Sequence, residues 1–446
     1  MKFRGLLVAA IVLAALTGTL YWSNHRKPPE STGTASADTP PKILALNPTD
    51  ITGLEIKKKT GEVVTLDKTD AGQWQITAPV PLAADQEAVS SMLSALSSLN
   101  SDRLVDDKAT NLDQYGLVPA SIEVDITKKD KTTVKLLIGD NTPAGSGAYT
   151  AVSGDPRVFT LATYNKSNFD KNPNDLRDKR LLNFDSDKLS RVELSAKKQI
   201  IEFGRSKDQW QIVKPKPFRA DGFQVDELVR SVHDAKMELS GTDDGKKTAA
   251  AFNSGSAIAT VKVTDISGTQ ELQVRKNKDD YYAKSSATAG VYKITSATAT
   301  ALDKSLDDFR NRKLFDFGYA DLDKIEIHDG AKNFVVSRSG ADWLSNGTKM
   351  DGPSVTTLIG AIRDLSATKF PDGGFTGAAI ELTITSNDGK RIEKVALSKN
   401  NESYVARREN EPAFYEVAAS SVAELQKAAA ELKPAVVKPA LAPTKK

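Results

Sequence analysis

At 446 residues the chain is longer than one ordinary core accommodates, so several domains are expected. Its 39% hydrophobic and 27% charged residues suit folded domains and exclude a wholly disordered or multi-span membrane chain. The net charge of +3, with Lys and Arg interleaved among Asp and Glu, offers no basic face for nucleic acid, and the lack of cysteine excludes disulfides, thiolate catalysis and cysteine metal sites.

The first element is Gly5 to Trp22, 18 uncharged and mostly apolar residues. As a helix it would reach about 27 Å, close to the thickness of a bilayer's hydrocarbon core. Lys2 and Arg4 precede it, and Tyr21 and Trp22 end it at headgroup level, so residues 1–26 are expected to form a transmembrane anchor with the amino terminus inside. Ala35-Ser36-Ala37 has the letters of a signal-peptide cleavage site but lies well past the apolar run, which favours a retained anchor. Residues 27–41 are rich in Pro, Ser and Thr and predict a flexible stalk.

A pattern then repeats. Trp74, Trp210 and Trp343 stand 136 and 133 residues apart. Each follows two short strand patterns, Leu54-Glu55-Ile56 with Val63 to Leu66, Val192-Glu193-Leu194 with Ile200 to Phe203, and Ile325-Glu326-Ile327 with Phe334 to Val336, which predict hairpins. An Asp comes next and opens an apolar series at helical spacing. Asp85 leads Val89, Met92, Leu93, Leu96 and Leu99; Asp221 leads Val225, Leu228, Val229 and Val232; Asp351 leads Val355, Leu358, Ile359, Ile362 and Leu365. The spacing marks one face of a helix, and the Asp suits its N-cap, where a carboxylate accepts bonds from free amide groups. Further strands follow in each copy, among them Ile122 to Ile126, Val261 to Val263 and Ile380 to Ile384.

These readings predict an α+β fold of three tandem repeats, each a twisted antiparallel sheet with a packed helix, spanning residues 42–185, 186–318 and 319–433. Residues 434–446, rich in Pro, Ala and Lys, predict a disordered tail. Between copies, Asp175 to Phe184 (DLRDKRLLNF) recurs as Asp308 to Phe317 (DFRNRKLFDF). One reading is an inter-module joint, its Leu and Phe seated in neighbouring cores and its basic side chains solvated or ion-paired. The other is a partner or anion contact through Arg177, Lys179, Arg180, Arg310, Arg312 and Lys313.

The order of hairpin, Trp with a nearby Pro (Trp74 to Pro79, Trp210 to Pro215), Asp-led helix, Tyr115-Gly116-Leu117 before Pro119, and Leu176 to Leu182 (LRDKRLL) resembles the bacterial domain of unknown function 4340. The third copy departs from it, having no Pro between Trp343 and Pro353 and no Tyr-Gly-Leu element. The resemblance implies one amino-terminal membrane helix, duplicated domains and an accessory role beside ABC-transporter components of the gliding type. It carries over no catalytic residue.

Sequence motifs of chemistry are sparse. His25, His233 and His328 are scattered, no HExxH or GxSxG occurs, and GTDDGKKT at Gly241 to Thr248 lacks P-loop spacing and reads as a polar loop. No catalytic, cofactor or metal residue is assigned, and no cofactor is expected. The expectation is a non-enzymatic scaffold or binding subunit on the bacterial inner membrane, its bulk in the periplasm or outside, contacting an envelope protein. The alternatives are an envelope enzyme acting on glycan or lipid, and a ligand carrier.

Overall fold

A computed structural model describes residues 41–206, 209–239, 245–318 and 322–436. Among these no helix is long and apolar enough to cross a membrane; the predicted anchor, the stalk up to residue 40 and the tail from residue 437 lie outside them. The architecture is α+β with antiparallel strand pairing throughout. Two compact units divide the chain between Asp178 and Lys179.

The first unit holds a small two-stranded sheet, Lys42–Leu44 with Leu99–Asn100, and a nine-stranded sheet. The nine-stranded sheet runs Ile51–Lys58, Val63–Lys68, Trp74–Ala78 and Leu82–Ala83, then after the Asp85-led helix Ile122–Lys128, Thr133–Asn141, Gly147–Val152 and Val158–Ala162. With these eight numbered along the chain, their spatial order is fourth, third, second, first, fifth, sixth, seventh, eighth; Arg103–Asp106 adds a ninth beyond the eighth.

The second unit holds two eight-stranded sheets in that same order. One is Arg191–Ala196, Gln199–Ser206, Gln209–Lys214, Phe218–Arg219, Ser256–Asp265, Gly268–Asn277, Asp280–Ser285 and Val291–Ile294. The other is Leu322–Asp329, Lys332–Ser339, Asp342–Ser345, Thr348–Lys349, Ile380–Ser386, Arg391–Asn400, Ser403–Arg408 and Phe414–Ala418. The register of the central pair also matches, with Ile56 opposite Val124, Leu194 opposite Val261 and Ile327 opposite Leu382.

Alternation buries one face of each sheet, and the helix between the fourth and fifth strands covers it. Helices Gln86–Ser97, Gly222–His233 and Gly352–Asp364 bury Val89, Met92, Leu93 and Leu96, then Val225, Leu228, Val229 and Val232, then Val355, Leu358, Ile359 and Ile362. Each starts where its aspartate accepts amide hydrogens: Asp85 from Glu87 and Ala88, Asp221 from Gln224, Asp351 from Ser354. Leu99 and Leu365, read from sequence as the last helical positions, lie just past the helix ends, where the chain turns to meet another segment. A second helix follows the eighth strand in each case, at Thr163–Phe169, Ser296–Leu302 and Ala419–Ala430, and packs on the first. Gly245 to Thr248, expected to be loop, are the first turn of a helix, Gly245–Ser254.

Candidate functional site

Two backbone latches recur where one sheet gives way to the next. After the second helix, the chain pairs beside the fourth strand: Asp85 N–H donates to Leu176 O at 2.7 Å and Asp178 N–H to Ala83 O at 2.8 Å. Asp221 N–H to Phe309 O and Asn311 N–H to Arg219 O repeat this, as do Asp351 N–H to Lys433 O and Ala435 N–H to Lys349 O. Pro434 and Ala435, assigned by sequence to the tail, thus belong to a latch. The next residues pair with the exit of the Asp-led helix of the following sheet. Met237 N–H donates to Lys179 O and Leu181 N–H to Ala235 O; Ala367 N–H donates to Arg312 O and Leu314 N–H to Leu365 O. Before the first sheet, Ser101 N–H donates to Pro41 O in the same place.

The six basic residues singled out in the sequence are spread along these latches. Arg177 bridges Ala84 in the first unit; in the second, Arg180 bridges Lys236, Arg310 bridges Ala220 and Lys313 bridges Ser366. Lys179 serves through its carbonyl. Arg310 is 8% exposed, with its guanidinium 4.2 Å from the centre of the Phe218 ring and 3.8 Å from that of Phe370. Phe218 packs against both cores of the second unit, so the Phe–Arg–Phe stack ties the second sheet to the third. Burial draws the Arg310 pKa down, against the pull of Asp307 at 3.5 Å. Arg312 donates to the carbonyls of Ala367 and Thr368 at 3.3 and 2.8 Å. The Lys313 side chain is exposed, while its carbonyl accepts from Arg219 at 2.7 Å.

Beside this joint lies an ionic cluster that the sequence did not announce, because its members come from distant strands. Arg219 donates to Asp316 at 2.5 Å and stands 3.8 Å from Glu411. Arg408 donates to Glu411 at 2.7 Å, to Glu393 at 3.2 Å and to the Leu314 carbonyl. Arg391 joins Glu393 at 3.2 Å and Asp316 at 3.7 Å. Burial works against the charge on Arg408, but Glu411, Asp316 and Glu393 outweigh it and hold the guanidinium above the usual arginine range. Tyr415 donates to Glu411 at 2.7 Å; burial first, then that bond, pushes its phenol up to about 12. Glu393 is 6% exposed, and its Oε2 makes no hydrogen bond among the described residues.

The cluster forms one wall of a polar cleft of ≈ 510 Å³ whose other wall is Gln209, Gln211 and Asp226. Trp210 Nε1 donates to Asp226 at 2.8 Å, pinning the third strand to the helix. Chemically, each carboxylate of the cluster faces a guanidinium, which suits holding two cores together better than moving protons. Among the described residues no three His, Asp or Glu side chains group as metal ligands would.

The profile of the family described as Domain of unknown function (DUF4340) matches residues 74–211 and 210–383, well over half of the chain. The chain belongs to this family. Both matched stretches begin at a tryptophan of a third strand; the first ends just past Trp210 and the second at residue 383, in the strand Ile380–Ser386. No curated protein and no solved structure matches it.

Proposed function

We propose that this protein is a membrane-anchored extracytoplasmic scaffold or binding subunit, built from three tandem copies of one sheet-and-helix module and accessory to an ABC-transporter-type envelope complex. One observation carries the reading: the identical pair of latches around each sheet. The junction residues repeated along the chain make backbone bonds beside the sheets, and Arg310 and Arg312 among them bond to a carboxylate, carbonyls and aromatic rings of the protein itself. Gly5 to Trp22 would hold the array to the inner membrane, and residues 27–41 would lift it clear.

Two measurements test this. A phosphatase reporter fused after Lys446 should be active in the periplasm, and an inactive reporter would reverse the orientation. Cross-linking mass spectrometry in intact cells should then join the modules to the same envelope proteins in repeated experiments. Cross-links scattered over unrelated soluble proteins would remove the scaffold reading.

A further inference from the structure

The fourth strand of each sheet is only two residues long, so it does not reach the main-chain groups of the tryptophan on the third strand. The first and third sheets fill that place with an amide of their own. In the first, the Gln86 side chain accepts from the Trp74 N–H at 2.9 Å and donates to the carbonyls of Trp74 and Ala84 at 2.8 and 2.9 Å. In the third, the Met350 N–H donates to the Trp343 carbonyl at 2.8 Å.

The second sheet has the frame of the first without the filler. Gln75 faces Ala83 and Ile76 faces Leu82 in the first; Gln211 faces Arg219 and Ile212 faces Phe218 in the second. The capping aspartate follows the tryptophan by 11 residues in both, so Gln86 corresponds to Gly222. The Arg219 carbonyl accepts from Asn311 and thus points away from the third strand. Alternation along paired strands then turns the Trp210 N–H and carbonyl towards the open side. Among the described residues nothing bonds to either group there, nor to the Ala220 carbonyl. Trp210, Ala220 and Gly222 all line the polar cleft beside the ionic cluster. A Cβ added at Gly222 meets nothing within 4 Å, so no neighbour takes up the room that Gln86 uses in the first sheet.

We infer that this place receives a primary carboxamide, carried as a glutamine side chain on an extended segment of a partner protein. One N–H donor and two carbonyl acceptors call for a group with one acceptor and two N–H donors. A glutamine side chain has both, whereas a main-chain amide has a single N–H. The charges of the cleft do not select an ion, since Arg219 is met by Asp316, Arg391 by Glu393 and Arg408 by Glu411. Its ≈ 510 Å³ exceeds one carboxamide and is flanked by the exposed Gln209 and Gln211, which leaves room for the residues on either side of the glutamine. The inference deepens the binding-subunit reading and rests on its repeated modules.

The probe is the peptide AAQAA with acetyl and N-methylamide ends, so that its glutamine holds the sole primary carboxamide. Saturation-transfer NMR with the full chain in detergent should show magnetisation passing to the glutamine side chain, and none to the same peptide with glutamate in its place. Gly222→Gln supplies a carboxamide from within and should abolish the transfer, whereas Gly222→Ala should preserve it. The internal bonds should also raise the melting midpoint of Gly222→Gln above that of Gly222→Ala by roughly 2–4 °C. No transfer from the native chain, transfer that survives Gly222→Gln, or equal transfer to the glutamate peptide overturns the inference. Equal transfer to free L-glutamine overturns the partner segment in favour of a carried small molecule. Envelope cross-links that persist while the peptide fails leave the scaffold reading standing without this site; peptide binding without reproducible cross-links removes the scaffold and leaves the site.

Discussion

At Arg408 a charge sits almost out of water and is held by Glu411, Glu393 and a carbonyl. Removing one partner from such a buried set typically costs about 3–5 kcal/mol, because the charges left behind stay desolvated. Arg408→Ala should therefore be severely destabilising by urea unfolding, whereas Arg407→Ala, one residue along and exposed, should be nearly neutral. Tyr415 adds a pH dependence. Its folded pKa of about 12 lies above the ordinary 10.0, so its contribution is fully present below pH 10 and is lost as the pH rises towards 12. Unfolding midpoints measured across that window should fall for the native chain and fall less for Tyr415→Phe. None of this was legible in the sequence, where Arg219, Asp316, Glu393 and the Arg408–Glu411 pair lie far from one another.

Elements were far more legible, because their signals are local. Asp followed by an apolar residue four positions on, and then by others at helical spacing, placed the three main helices and their buried faces. Replacing Asp85, Asp221 or Asp351 by Ala should cost about 1 kcal/mol each, from amide groups left without an acceptor. Thermal melts of the three single variants would check it, and a loss several times larger at one position would show that its aspartate does more than cap. The helices after the eighth strands escaped notice for the same physical reason. Thr163–Phe169 and Ser296–Leu302 are too short to show a period, and Ala419–Ala430 is rich in alanine, so its buried Val422, Leu425, Ala428 and Ala429 form a faint stripe. Gly245 to Thr248 misled in the other direction, since Gly and Lys suggested a loop where the helix begins.

For the whole molecule, a period of tryptophans and the echo of one junction in another pointed to three modules, whereas the chain divides into two compact units between Asp178 and Lys179. What makes the junction work was only half visible. Its apolar residues are buried, each in the core of its own unit: Leu176, Leu181 and Leu182 at the first, Phe309, Leu314 and Phe315 at the second. The basic letters gave no sign that Arg310 would be stacked between Phe218 and Phe370, because neither ring is near it in sequence. Arg310→Ala removes that stack, worth about 2 kcal/mol when desolvated. In a unit of this size each kcal/mol shifts the midpoint by roughly 2–4 °C. Calorimetry should show the unfolding of residues 179–436 moved down accordingly; an unshifted transition would mean that Phe218 alone couples the two cores.

The latch made by Lys433 to Ala435 has the same bonds as those that elsewhere lead straight into another sheet. Closing one sheet and opening the next are thus separate operations performed by adjacent tripeptides. A stretch beginning at Lys179 and ending at Asn311 carries its own opening and its own closure in backbone bonds, while Phe218, Arg219 and Arg310 bind it to the sheet that follows.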